Sequence, residues 1–151
     1  MALQEAAIKA VLTGDATFAG YATGGIKISP EDFANNDGAT LENLDAASAF
    51  YANGKLKPTA VITFGADAKS NLQLGERRFF QVWCYEDSGF ANIRLMKRRI
   101  KTLLDRQTID SANETSNYIE YVDAGPEFID ENLLNKSASW CRLFVLYLRS
   151  S

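Results

Sequence analysis

Histidine is absent from this chain. That removes the usual general base near neutral pH, the commonest metal ligand, and any nucleophile activated by an imidazole. Cysteine is nearly absent: Cys84 and Cys141 stand apart in apolar, strand-like runs. They read as buried free thiols, and two such separated residues make no zinc site. The phosphate-cradling pattern GxxxxGK(S/T) is missing, as is GxGxxG after a strand. Gly20-Tyr21-Ala22-Thr23-Gly24-Gly25 matches neither and reads as a turn. No apolar run approaches the ~18 residues that suggest a membrane span. The opening MALQEAAIKAVLTGD carries Glu5 and is amphipathic, unlike a signal peptide. The expectation is a protein made and used in the cytoplasm, or built into a particle there, with no membrane partner.

Carboxylates occur side by side at Glu31/Asp32, Glu86/Asp87 and Asp130/Glu131, all in predicted turns, where solvation is the default. Carboxylate and lysine chemistry needs no histidine, but no site of that kind assembles along the sequence. No catalytic, cofactor-binding or metal-binding residue is therefore assigned, and no enzyme is expected.

What is present is an ordinary globular composition. With 151 residues and 46% hydrophobic side chains, the chain is long and apolar enough for one domain with a real core. A net charge of −3 argues against a general nucleic-acid binder. The charge is uneven: residues 1–75 hold five basic and eight acidic side chains, residues 76–151 eleven of each. Any basic surface is therefore local.

Leu3, Ala7, Ile8, Val11 and Leu12 form a helical stripe that stops at Gly14-Asp15, and Asp15–Phe18 can add a further turn. Gly25–Ser29 is a short strand closed by Pro30. Residues 31–57 are rich in Asn, Asp, Ala and Gly and read as an insertion or mobile loop, with a weak helix over Thr40–Asn53 as one form of it. Thr59–Phe64, Tyr118–Val122 and Ser139–Arg149 are strands rich in β formers. Gly65–Gly75 reads as a polar loop, and Glu127–Lys136 as an acidic one.

The most informative stretch is ERRFFQVWCYEDSGFANIRLMKRRIKTLLD. Phe80, Val82 and Cys84 alternate with Phe79, Gln81, Trp83 and Tyr85, so both faces of a strand are apolar-rich. Such a strand has helices on one side and another layer, or a neighbouring subunit, on the other. Asp87 or Ser88 is placed to cap the helix that follows. Phe90, Ile93, Met96, Ile100, Leu103 and Leu104 make its apolar stripe. Arg94, Arg98 and Lys101 share one flank, which reads either as a solvated helix face or as a basic surface for an acidic subunit face or nucleic acid.

These elements predict an α+β fold: a mainly antiparallel sheet of about four to five strands with two main helices packed on one face. Beyond the periodicities, the layout resembles the tail terminator, or tail-completion, proteins of long-tailed bacteriophages. Leu12-Thr13-Gly14-Asp15-Ala16 and Gly25-Ile26-Lys27-Ile28 fill the family's helix break and glycine-led strand. The strand Phe79–Tyr85, the helix Ala91–Asp105 and the paired C-terminal strands match its order.

The resemblance implies a structural virion protein at the phage neck, a ring subunit, typically of a hexamer. Such a ring caps the tail tube and offers a surface to the head connector or head-closure protein, with DNA passing through the channel. No cofactor is implied. Arg94, Arg98 and Lys101 meeting an acidic loop with Glu127, Asp130 and Glu131 on a neighbour is a plausible subunit contact. Another virion interaction protein (head-closure, minor capsid or tail tube subunit) is the alternative, and a cytoplasmic ligand-binding domain or small enzyme a more remote one.

Overall fold

Two long strands organise the molecule, and both are the β-branched and aromatic runs of the sequence. A computed structural model of the chain describes residues 2–29, 51, 53–69, 75–111, 114–131 and 135–149. Helix α1 (Ala2–Gly14) and α2 (Ala16–Tyr21) lead into β1 (Ile26–Ser29), then β2 (Thr59–Lys69) and β3 (Gly75–Glu86). Helix α3 (Ala91–Leu104) follows, then β4 (Thr108–Ser111), β5 (Glu114–Ala124), β6 (Phe128–Asp130) and β7 (Lys136–Arg149).

The strands form one seven-stranded sheet in the order β1-β2-β3-β7-β5-β4, with β6 paired to the start of β7. Every pairing is antiparallel except β1 with β2. The α1 helix touches both β1 and β4, at opposite ends of that order, so the sheet curls around it.

The mixed helix–sheet class therefore holds, while the expected four to five strands were too few; beside the two long helices, the turn expected at Asp15–Phe18 is the short helix α2. The extra strands, β4 and β6, are four and three residues long, too short to show a period in sequence. Glu127–Lys136 is thus not wholly a loop, and the described part of Gly65–Gly75 is strand, since β2 continues to Lys69 through a bulge after Phe64 and β3 starts at Gly75. Of segment 31–57, only Tyr51 and residues 53–57 are described, so the helix expected over Thr40–Asn53 lies almost wholly outside the described residues. Among the described residues no helix is long and apolar enough to cross a membrane.

One face of the sheet carries the core. Ile8 and Leu12 of α1, Phe18 of α2 and Ile93, Met96, Ile100 and Leu104 of α3 are fully buried against it. From the sheet come Ala60, Ile62, Phe80, Val82, Cys84, Ile119, Cys141, Leu143 and Val145. The 3.6-residue stripe of α3 and the two-residue alternation of β3 and β7 thus meet in a single apolar layer. Both cysteines are buried in it and unbridged. Burial pushes the Cys84 thiol well up and that of Cys141 to about 11.

Polar groups pin the helices at chosen points. Asp15 accepts the Phe18 N–H at 2.8 Å as the cap of α2, and its two oxygens accept a bidentate pair from Arg99 at 2.8 and 2.9 Å. The Arg99 bond, followed by the Phe18 N–H, holds the Asp15 carboxyl down to about 2. The start of α3 is not capped by Asp87 or Ser88, contrary to expectation. Glu86 instead accepts the Asn92 N–H at 3.1 Å and its side-chain amide at 2.8 Å. Asp87 is engaged elsewhere, by Lys136 Nζ at 2.6 Å and the Leu56 N–H at 3.0 Å.

Candidate assembly surfaces

Two unlike surfaces lie on opposite sides of this two-layer arrangement. The first is the outer face of α3, which has five basic residues and no acidic one over Ala91–Leu104. The apolar stripe faces the sheet, so Arg94, Leu95, Arg98, Lys101 and Thr102 point outward and are exposed. Arg94 does not stand alone. Its Nε and Nη2 donate to Glu127 at 2.6 and 2.7 Å within the same chain, lowering the Glu127 carboxyl's pKa and raising that of the guanidinium. Lys101 lies over the Tyr121 ring, 5.0 Å from its centroid. Arg98 is exposed on the same flank.

Two further cations of α3 serve the interior. Arg99 holds Asp15, and Lys97 Nζ donates to Ser139 Oγ at 2.8 Å and to the Gly125 carbonyl at 3.2 Å. Of the acidic residues singled out in sequence, Glu127 is thus tied to Arg94, Asp130 ends β6 opposite Lys136 in register, and Glu131 is exposed beyond it. The structure brings Arg94 and Glu127 together within one chain. Arg98 and Lys101 remain on the outer helix face.

The second surface is the sheet face turned away from the helices. Side chains directly opposite on paired strands share a face, so the register arranges them in cross-strand rows. Thr59, Tyr85, Ala138 and Phe128 form one row, and Val61, Trp83 and Trp140 the next. Thr63, Gln81, Arg142 and Asp123 follow, then Phe79, Phe144 and Glu120, and finally Arg77, Leu146 and Tyr118. Trp83 is central: its ring lies 6.2 Å from Tyr85, 6.2 Å from Phe128 and 6.3 Å from Trp140. Phe79 and Phe144 meet edge to face at 5.7 Å.

No described helix packs on these rows: Phe79, Trp83, Tyr85, Trp140, Phe144 and Leu146 are only half-buried, while Thr59, Val61 and Ala138 at one end of them are buried. The face has few charges. Arg142 donates to both oxygens of Asp123 at 3.1 and 2.8 Å, and Glu120 is exposed. The Arg77 guanidinium lies 5.5 Å from the Phe79 ring centroid, and its Nε is buried without a hydrogen-bond acceptor among the described residues.

The alternation of Phe79, Trp83 and Tyr85 already showed in sequence that β3 has two apolar faces. It could not show that β7 would lie beside β3 and double the aromatic density. A shallow polar cleft of about 320 Å³ is lined by Tyr21, Tyr51, Lys55, Glu86, Asp87 and Asn92 among others. Its two carboxylates are those already bound to Asn92, Leu56 and Lys136. Among the described residues no group of three or more Cys, Asp or Glu side chains is placed to hold a metal ion.

No protein-family profile matches this sequence. No curated protein sequence matches it either. Among solved structures, the chain is similar in fold to one from the "Virion of native gene transfer agent (GTA) particle". The TM-score is 0.64 at 14% sequence identity, and the match covers 97% of this chain and 96% of the other. The likeness therefore extends over the whole architecture.

Proposed function

We propose that this chain is a structural subunit of a phage-like virion: a tail terminator that forms a ring at the neck, caps the tail tube and meets the head connector. The observation that carries this reading is the pair of unlike surfaces that the described residues leave largely uncovered on one small two-layer domain. A closed ring joins two different patches on each subunit, and a subunit built for it must leave both uncovered when alone. Half-buried Trp, Tyr, Phe and Arg side chains in one patch have the composition of an interface centre.

The fold likeness to a chain of a virion particle supports the same reading, as does the helix-break and strand order shared with tail terminators. The role is non-enzymatic, and the partners are further copies of the chain, the tail tube protein and the head connector. DNA passes through the ring without being read.

Negative-stain microscopy of the purified chain, alone and mixed with tail tubes lacking their terminator, tests the proposal. The expected result is ring-shaped particles with a central channel, or rings that close at tube ends. Density elsewhere on the particle, on the capsid or along the tube, would replace the terminator role with that of another virion subunit.

A further inference from the structure

We infer that in the assembled ring the exposed face of α3 of one copy seats on the aromatic sheet face of the next, so that helix and sheet layers alternate around the ring. The inference rests on the ring reading and names the contact that closes it. The two-sided fold supplies the first argument. Among the described residues the helices cover one face of the sheet and leave most of the other without a layer, so stacking copies in one sense completes the missing layer for each. Pairing sheet face with sheet face would satisfy two copies and end there, with both helix faces still bare.

Charge supplies the second argument. While α3 is wholly basic in its charged residues, no Lys or Arg occurs between Gln107 and Asn135, a stretch with seven carboxylates. Two of these, Glu120 and Asp123, stand in the rows of the open face, where they balance Arg77 and Arg142. Asp123 already neutralises Arg142, which leaves Glu120 exposed for a cation of the neighbour. Arg98 and Lys101 are suited to that role. The aromatic rows add to it, because a guanidinium or ammonium is attracted to the face of an indole or phenyl ring. Leu95, 36% exposed between Arg94 and Arg98, adds an apolar contact to the basic face.

Size supplies the third. Five rows two residues apart along four strands cover roughly 27 by 19 Å, or about 500 Å². A single helix, about 10–12 Å across with its side chains, spans roughly half the width of these rows. The α3 helix, with 14 residues, is about 21 Å long and so matches the rows in length.

Crosslinking tests the geometry. Leu95→Cys and Glu120→Cys lie on opposite sides of one copy, too far apart for a short bismaleimide to join within a chain. The native thiols are buried, and the unmodified chain serves as the control. In the full-length double variant, the expected product is a ladder of linked copies on a denaturing gel. Mixing the two single variants should give linked dimers, and neither variant alone should give any.

Charge reversal provides a second readout. Arg98→Glu should reduce assembly at least tenfold, and adding Glu120→Arg should restore it. Linked dimers from Glu120→Cys alone would show sheet faces meeting each other and overturn the inference. Rings without links in the double variant would overturn this contact and leave the ring reading standing. A wild-type chain that stays monomeric both alone and with tail tubes would overturn both.

Discussion

Replacing Gly125 with alanine tests the packing beneath the aromatic face directly. Gly125 follows the end of β5 and is buried under the indole of Trp140. Its N–H donates to the Trp140 carbonyl at 2.8 Å, and its own carbonyl accepts from Lys97 Nζ at 3.2 Å and Ser139 Oγ at 3.1 Å. A Cβ at this position would overlap the indole, lying only 2.6 Å from Cδ2. Either the backbone moves and strains those three bonds, or Trp140 swings out of its row and leaves Trp83. Overpacking of this kind costs about 1–3 kcal/mol, and a lost aromatic pair about 0.5–1.5 kcal/mol. Against this, alanine lowers the entropy of the unfolded chain and returns about 0.4–1 kcal/mol. The net expectation is a loss of about 2 kcal/mol. With a urea slope of about 1–3 kcal/mol per molar, the midpoint should fall by about 1 M. Equilibrium urea unfolding followed by tryptophan fluorescence measures it, with a red-shifted native spectrum if Trp140 swings outward. In a Trp140→Ala background the same substitution should be nearly neutral, giving a coupling of about 2 kcal/mol. An unchanged midpoint in the wild-type background would refute the contact.

Two further predictions probe how the helices are attached. Ile100 is fully buried between α3 and the sheet, so Ile100→Ala should cost about 2–5 kcal/mol and lower the thermal midpoint; a surface-like change of a few tenths would contradict the assigned helix face. Asp15 has a depressed carboxyl, about 2 against an ordinary 3.8, so its contribution is fully present above pH 3.8 and is lost as pH falls through about 2. Wild type should therefore lose stability between pH 5 and 2 more steeply than Asp15→Asn, which keeps a capping oxygen without the charge. Parallel stability curves for the two would dismiss the Arg99–Asp15 pair as a source of stability.

How much of this was legible in sequence depended on the range of the interaction involved. The stripe of α3, the alternation in β3, the apolar run of β7 and the stop at Asp15 were all readable, because each depends on residues within a turn or two of one another. The capping of α3 was misread, since Asp87 and Ser88 are good local caps and nothing nearby shows that Asp87 is held by Lys136, 49 residues away. Arg94 and Glu127 were each conspicuous, but their union spans 33 residues and needs the turn after β5 to bring Glu127 over the helix.

By itself, then, the sequence determined the helix–sheet composition, the inward face of each long element and the lack of imidazole chemistry. Tertiary structure alone decided that β7 lies between β3 and β5, that β1 runs parallel to β2, and that β4 and β6 count as strands at all. It alone set Trp83 beside Trp140, and so made a surface out of what were only alternating residues. The physical reason is that period and propensity are local, whereas strand order and register depend on hydrogen bonds and side-chain pairs between residues far apart in the chain.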